Sequence, residues 1–102
     1  MSFKGRDILT TEGMSRDDVL TIMRVSGEME EIVKKQGVSD LLSDKLAAVI
    51  FLEPSTRTRL SFVSAVQRLG ARPVIVADPK SSSASKGETL VDMGKTVEGY
   101  VD

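Results

Sequence analysis

Leu46-Ala47-Ala48-Val49-Ile50-Phe51-Leu52 is an unbroken apolar run that leads directly into Glu53-Pro54-Ser55-Thr56-Arg57-Thr58-Arg59. A run of that length without alternation predicts a strand buried on both faces, as in a parallel sheet. The pattern that follows extends it to a strand-helix-strand unit. A helix is predicted over Thr56–Leu69, with Phe62, Ala65, Val66 and Leu69 on one stripe and Gly70 to end it. Pro73-Val74-Ile75-Val76-Ala77 reads as a second short strand, its proline tolerated at the first position because the lost donor lies at the strand's end. That order implies a right-handed crossover and a parallel pair. The predicted fold class is α/β, a parallel sheet flanked by helices.

Two further helices complete the pattern. Ser15-Arg16-Asp17-Asp18 reads as a helix start, with Ser15 as cap and two carboxylates where the helix dipole favours them. This helix is predicted to run to about Gln36 and to pack through Val19, Ile22, Met23, Ile32 and Val33. Glu28, Glu30, Glu31, Lys34 and Lys35 supply its solvated face, and Gly37 is placed to end it. Asp78 to Ser85 contains Pro79 and four serines and reads as an exposed loop. A last helix is predicted from Gly87 or Glu88 to about Glu98, with Gly94 in its interior and Gly99 at its end. Tyr100-Val101-Asp102 stands where another parallel strand is expected, so the sheet is read as unfinished.

The 102 residues are the size of one domain, and 40% hydrophobic with 28% charged residues is the composition of a water-soluble globular unit. A formal charge of −1 provides no global field for nucleic acid or an anionic membrane, so any anion affinity is local. Cysteine and histidine are absent, which removes disulfides, thiolate metal sites and His-based catalytic triads. Neither a signal region nor an apolar run approaching the ~20 residues of a membrane span occurs, and a cytoplasmic location is expected.

The chemistry concentrates at the first strand-to-helix turn. Arginine in the first turn of a helix opposes the dipole, by roughly 0.3–1 kcal/mol per charge, unless something anionic sits there. With Ser55 at the cap, the N–H groups of Arg57 and Thr58 converge outward, the hydroxyls of Ser55, Thr56 and Thr58 are placed to donate, and Arg57 adds a forked cation. In an open α/β sheet this corner lies at the carboxyl ends of the strands, where ligands bind. The competing reading is that Ser55 merely caps the helix while Arg57 and Arg59 pair with carboxylates such as Glu53. No G-x-x-x-x-G-K or G-x-G-x-x-G occurs, so one small phosphate or phosphate ester suits the turn better than a nucleotide. A second cluster, Ser83-Ala84-Ser85-Lys86-Gly87-Glu88-Thr89, carries Lys86 on a long stem, able to reach a phosphate, a carboxylate or an oxyanion. Glu88 and Thr89 read as helix-start residues.

Phe51 to Phe62, followed by Arg68-Leu69-Gly70 and then Lys86-Gly87-Glu88-Thr89-Leu90, Asp92 and Tyr100-Val101-Asp102, resembles the carbamoyltransferase family. The ornithine-specific members usually carry His-Lys-Glu-Ser at the second motif, so Lys86-Gly87-Glu88-Thr89 points to the aspartate-specific members. Val63 stands where many members have glutamate, and Met93-Gly94 replace a commoner Thr-Ile. The resemblance implies that Ser55, Thr56, Arg57 and Thr58 bind the phosphate of carbamoyl phosphate, with Thr58 near the carbonyl oxygen. It implies that Ser83 and Lys86 reach into the active site of a neighbouring subunit in a homotrimer, with Ser82 the competing alignment for the serine. Arg57, Thr58 and Lys86 are then the catalytic residues, acting on carbamoyl phosphate and L-aspartate in a step toward pyrimidines that the resemblance implies needs no metal or organic cofactor.

Regulatory chains are a further partner that the family allows; nucleic acid and membrane are not partners. Residues 1–102 read as the N-terminal part of the carbamoyl-phosphate-binding domain, without the aspartate-binding domain. Alone they are expected to be inactive, because the family's later arginine, histidine and glutamine contacts have no positions here. Two alternatives accompany this reading: transfer to another amine such as ornithine, and a non-catalytic phosphate-binding or assembly module.

Overall fold

A computed structural model describes residues 3–76 and 90–102. Its elements are α1 (Arg16–Lys35), β1 (Leu46–Ile50), α2 (Thr56–Arg68), β2 (Arg72–Val76) and α3 (Leu90–Glu98). They fall in two compact units, Met1–Gln36 and Gly37–Asp102. No helix of the described residues is long and apolar enough to cross a membrane.

In the first unit the predicted start of α1 is closed by its own side chains. The Asp18 backbone N–H donates to Ser15 Oγ at 3.0 Å, and the Ser15 N–H donates back to Asp18 Oδ2 at 3.1 Å, a reciprocal capping box. Arg6 grips the same carboxylate with both Nη atoms at 3.2 Å each, and its guanidinium lies 4.6 Å from the Phe3 ring centre. Asp18 is 2% exposed. The hydrogen bonds from Arg6, then those from Ser15, hold its carboxyl below the ordinary value. Along the solvated face Arg24–Glu28, Glu30–Lys34 and Glu31–Lys35 form i,i+4 pairs. The expected packing stripe is not covered: Val19, Ile22, Met23 and Val33 are exposed, and only Ile32 is half-buried. The described residues of this unit form one helix and no strand, so the unit has no second layer of its own to close over the stripe. An open apolar groove of about 450 Å³ remains, lined by Phe3, Ile8, Ile22, Val25 and Met29 among others.

The second unit realises the predicted strand-helix-strand pattern. β1 and β2 pair in parallel from Leu46↔Arg72 to Ile50↔Val76, and α2 packs on both strands. Gly37 (φ 80) and Gly70 (φ 87) supply the left-handed residues after α1 and α2. At Gly70 a Cβ would lie 2.6 Å from the Ser39 carbonyl oxygen, so only glycine fits. That close approach joins the end of α2 to the segment before β1. Ser39 N–H donates to Arg68 O (2.7 Å), Leu42 N–H to Leu69 O (2.8 Å), and Arg68 Nη1 to Gly37 O (2.6 Å).

The structure corrects several sequence expectations here. β1 ends at Ile50 rather than Leu52; Phe51 N–H still donates to Val76 O at 2.7 Å, and the chain then bends at Leu52 and Glu53. β1 is not buried on both faces. Val49 is 7% exposed, but Leu46 and Ile50 are 38% and 39% exposed, because this sheet has two strands and one edge of β1 is largely uncovered by the described residues. Of the stripe predicted on α2 and its cap, Val66 and Leu69 are half-buried, with Val63 beside them, whereas Phe62 is 59% exposed and Ala65 is exposed. Two of the four predicted positions hold, and Val63 rather than Phe62 joins them on the half-buried side.

β2 spans Arg72–Val76, so Pro73 is its second residue. Arg72 N–H donates to Lys45 O, and alternate residues of a parallel strand face the same neighbour, so the donor missing from Pro73 points away from β1. α3 ends where expected, with Gly99 N–H on Thr96 O and Tyr100 N–H on Val97 O. Its predicted start at Gly87 or Glu88, Ala77, and the loop from Asp78 to Ser85 lie outside the described residues. Beyond α3, Asp102 meets the other edge of β1: its N–H donates to Leu46 O and its Oδ2 accepts from Leu46 N–H, both at 2.9 Å.

Candidate anion-binding site

The turn from β1 to α2 sits at the carboxyl end of β1, as expected. Pro54 and the extended conformation of Ser55 (φ −155°, ψ 110°) bring the chain out of the sheet, and α2 begins at Thr56. Ser55 is therefore the cap residue by position, yet its side chain makes no capping hydrogen bond. The first turn of α2 contains no acidic residue, and the helix carries Arg57 and Arg59 instead. Ser55 is half-buried; Thr56, Arg57, Thr58 and Arg59 are exposed.

The N–H groups of a first helical turn have no partner within the helix, and they sit at the positive end of its dipole. Here neither a carboxylate nor the Ser55 hydroxyl satisfies them from the helix's own side chains. Among the described residues Arg57 and Arg59 form no ion pair, and Glu53, which the competing reading makes their partner, is exposed and pairs with neither. The turn thus collects free N–H groups, hydroxyls from Ser55, Thr56 and Thr58, and a guanidinium fork on Arg57. That donor set matches a tetrahedral oxyanion.

Ser55, Thr56, Arg57 and Thr58 are brought together in this single turn. Ser83, its alternative Ser82, and Lys86, together with Glu88 and Thr89, lie outside the described residues. The idle hydroxyl of Ser55 was not anticipated. Its signal is the third residue after the cap: Asp18 follows Ser15 at that spacing and closes a box, whereas Thr58 follows Ser55 and has no carboxylate to return.

Residues 6–102 match the family described as aspartate/ornithine carbamoyltransferase, carbamoyl-P binding domain. The aspartate carbamoyltransferase catalytic subunit of Thermococcus kodakarensis is 42% identical over 102 residues, which are 100% of this chain and 33% of that protein. Its counterpart from Methanocaldococcus jannaschii is 38% identical over 97 residues, 95% of this chain and 32% of that one. Among solved structures, aspartate transcarbamoylase from Trypanosoma cruzi in complex with carbamoyl aspartate and phosphate is similar with a TM-score of 0.87. The identity is 34%, over 98% of this chain and 32% of that chain. Ornithine carbamoyltransferase from Pyrococcus furiosus is similar with a TM-score of 0.82 at 34% identity, covering 100% and 32%. The chain spans about a third of the length of the curated relatives it matches.

Proposed function

The chain belongs to the aspartate/ornithine carbamoyltransferase family, and from that premise we propose that its β1–α2 turn binds the phosphate of carbamoyl phosphate for carbamoyl transfer to L-aspartate. The observation that carries the reading is the uncapped head of α2, where Ser55 leaves its hydroxyl idle and Arg57 has no ion partner among the described residues.

In this reading Ser55, Thr56, Arg57 and Thr58 hold the phosphate, and Thr58 also donates to the carbonyl oxygen. The aspartate amine attacks the carbonyl carbon, a C–N bond forms, and the C–O bond to phosphate breaks. Negative charge grows on the leaving phosphate, where Arg57 and the helix N-terminus stabilise it, and on the oxyanion, where Thr58 donates. The amine's proton passes to the departing phosphate, and N-carbamoyl-L-aspartate is the product, on the route to pyrimidines. Lys86, with Ser83, enters from a neighbouring subunit of a homotrimer and holds the amino acid's carboxylate. Residues 1–102 supply the N-terminal part of the carbamoyl-phosphate-binding domain, in a cytoplasmic protein.

Aspartate rather than ornithine as acceptor is supported by Lys86-Gly87-Glu88-Thr89 and by the names of the curated relatives. Isothermal titration of the 102-residue chain with carbamoyl phosphate tests the site. Binding that weakens roughly tenfold or more in Arg57→Ala is expected, since a hydrogen bond to a charged group contributes about 1.5–3 kcal/mol. Binding unchanged by that substitution contradicts the reading. No turnover is expected from the 102-residue chain by itself with L-aspartate and carbamoyl phosphate.

A further inference from the structure

The charges on α2 are all of one sign. Its 13 residues include Arg57, Arg59 and Arg68 and neither aspartate nor glutamate. Arg68, in the last turn, donates to the Gly37 carbonyl at 2.6 Å, far from the helix head. The strands packed on α2 bring no carboxylate to that head either. β1 has no titratable residue, and β2 has Arg72 alone, at the end of the strand away from the turn. Glu53 is the one carboxylate of the turn itself; it is exposed, and no hydrogen bond or ion pair among the described residues holds it.

Guanidinium and backbone N–H groups donate hydrogen bonds and cannot accept them; in the turn only the hydroxyls of Ser55, Thr56 and Thr58 do both. A tetrahedral anion seated against these groups directs three oxygens inward and one outward. When the inward oxygens carry only lone pairs, every contact runs from donor to acceptor. A proton on one of them sets O–H against N–H with no fixed carboxylate to receive it, and both groups keep their desolvation cost without a bond. Turning that proton outward swings the ester group into the helix head instead. Resting on the phosphate reading above, we propose that the turn selects its ligand by protonation and not by element. It admits the doubly ionised form of a phosphate monoester, takes sulfate equally well, and rejects the monoester once it is protonated. The ligand class narrows to oxyanions that present three unprotonated oxygens, which a phosphate monoester does above its second pKa of about 6.

Calorimetric titration of the 102-residue chain with methyl phosphate and, separately, with sulfate tests this at two pH values, one about two units above the ester's second pKa of about 6 and one about a unit below it. Sulfate keeps both charges at either pH, so its affinity reports any change in the protein, and the ratio of the two affinities isolates the ligand's proton. The two ligands are expected to bind within a few fold of each other at the higher pH, and sulfate roughly tenfold more tightly than the ester at the lower one, where about a tenth of the ester is doubly ionised. A ratio that stays the same at both pH values overturns the proposal. So does sulfate bound more than roughly tenfold more weakly than methyl phosphate at the higher pH, the outcome that an acceptor supplied by Asp78 or Glu88 would produce. Either outcome, with ester binding that still weakens in Arg57→Ala, leaves the phosphate reading standing; a chain that binds neither anion overturns both.

Discussion

Ser15 and Ser55 hold the same position at the heads of α1 and α2, both in extended backbone, yet only Ser15 uses its hydroxyl to close its helix. At α1 the third residue on is Asp18, which returns a bond to Ser15, is held by Arg6 and is almost fully buried. At α2 the third residue on is Thr58, and the charges nearby are arginines. One helix head carries its own anion and is internally satisfied; the other has donors and positive charge left over. The proposed anion site thus rests on what the first turn of α2 lacks as much as on what it contains.

The largest effect expected from perturbing this contrast is at Asp18. Asp18→Ala removes the acceptor of Arg6 and of the Ser15 N–H together, and chemical denaturation followed by dichroism is expected to show the greatest loss of stability among these variants. Phosphate affinity should be unaltered in it. Arg57→Ala inverts the pattern: a roughly tenfold or greater loss of carbamoyl-phosphate binding by calorimetry, with a denaturation midpoint close to the parent's. The matched pair comes next. Ser15→Ala is expected to cost about 1 kcal/mol of stability through the lost cap, whereas Ser55→Ala costs only a few tenths and registers instead as weaker anion binding. Equal stability losses in the two would erase the distinction.

The smallest effect is in acid. The Asp18 carboxyl is lowered from its ordinary 3.8, so the unfolded chain binds its proton first as pH falls. The stability it contributes is present above the unfolded value and is lost as pH drops through the lower folded value. The parent is expected to lose stability more steeply than Asp18→Asn below about pH 4, read from denaturation midpoints at stepped pH.

Much of this was legible in the residues because it is local. Ser15 with Asp17 and Asp18, and Gly37 and Gly70 after helical periods, are signals carried within a few positions, and the structure places each as read. The apolar run at Leu46 and the proline at 73 fixed a parallel pair in the same way. Arg6 was missed because its partner is twelve residues on and no short-range pattern joins them. On α2, Val66 and Leu69 lie on the half-buried side as read, but Phe62 was misplaced because Phe62 and Val63 are adjacent and apolar, and only docking on the sheet decides which of them is covered. The reason given for Pro73 was incomplete for a similar cause: the direction of its missing donor depends on the ladder parity set by Arg72 and Lys45. At the candidate site, the Ser55–Thr58 turn was visible from residue types alone, while its uncapped state needed the backbone geometry.

The most direct test of the contrast follows the backbone amides of both helix heads in a ¹⁵N-labelled chain during titration with inorganic phosphate, then carbamoyl phosphate. Saturable shifts are predicted at Thr56, Arg57 and Thr58, with Asp17 and Asp18 unmoved. Shifts of equal size at both helix heads, or shifts at Asp17 and Asp18 alone, would contradict the account.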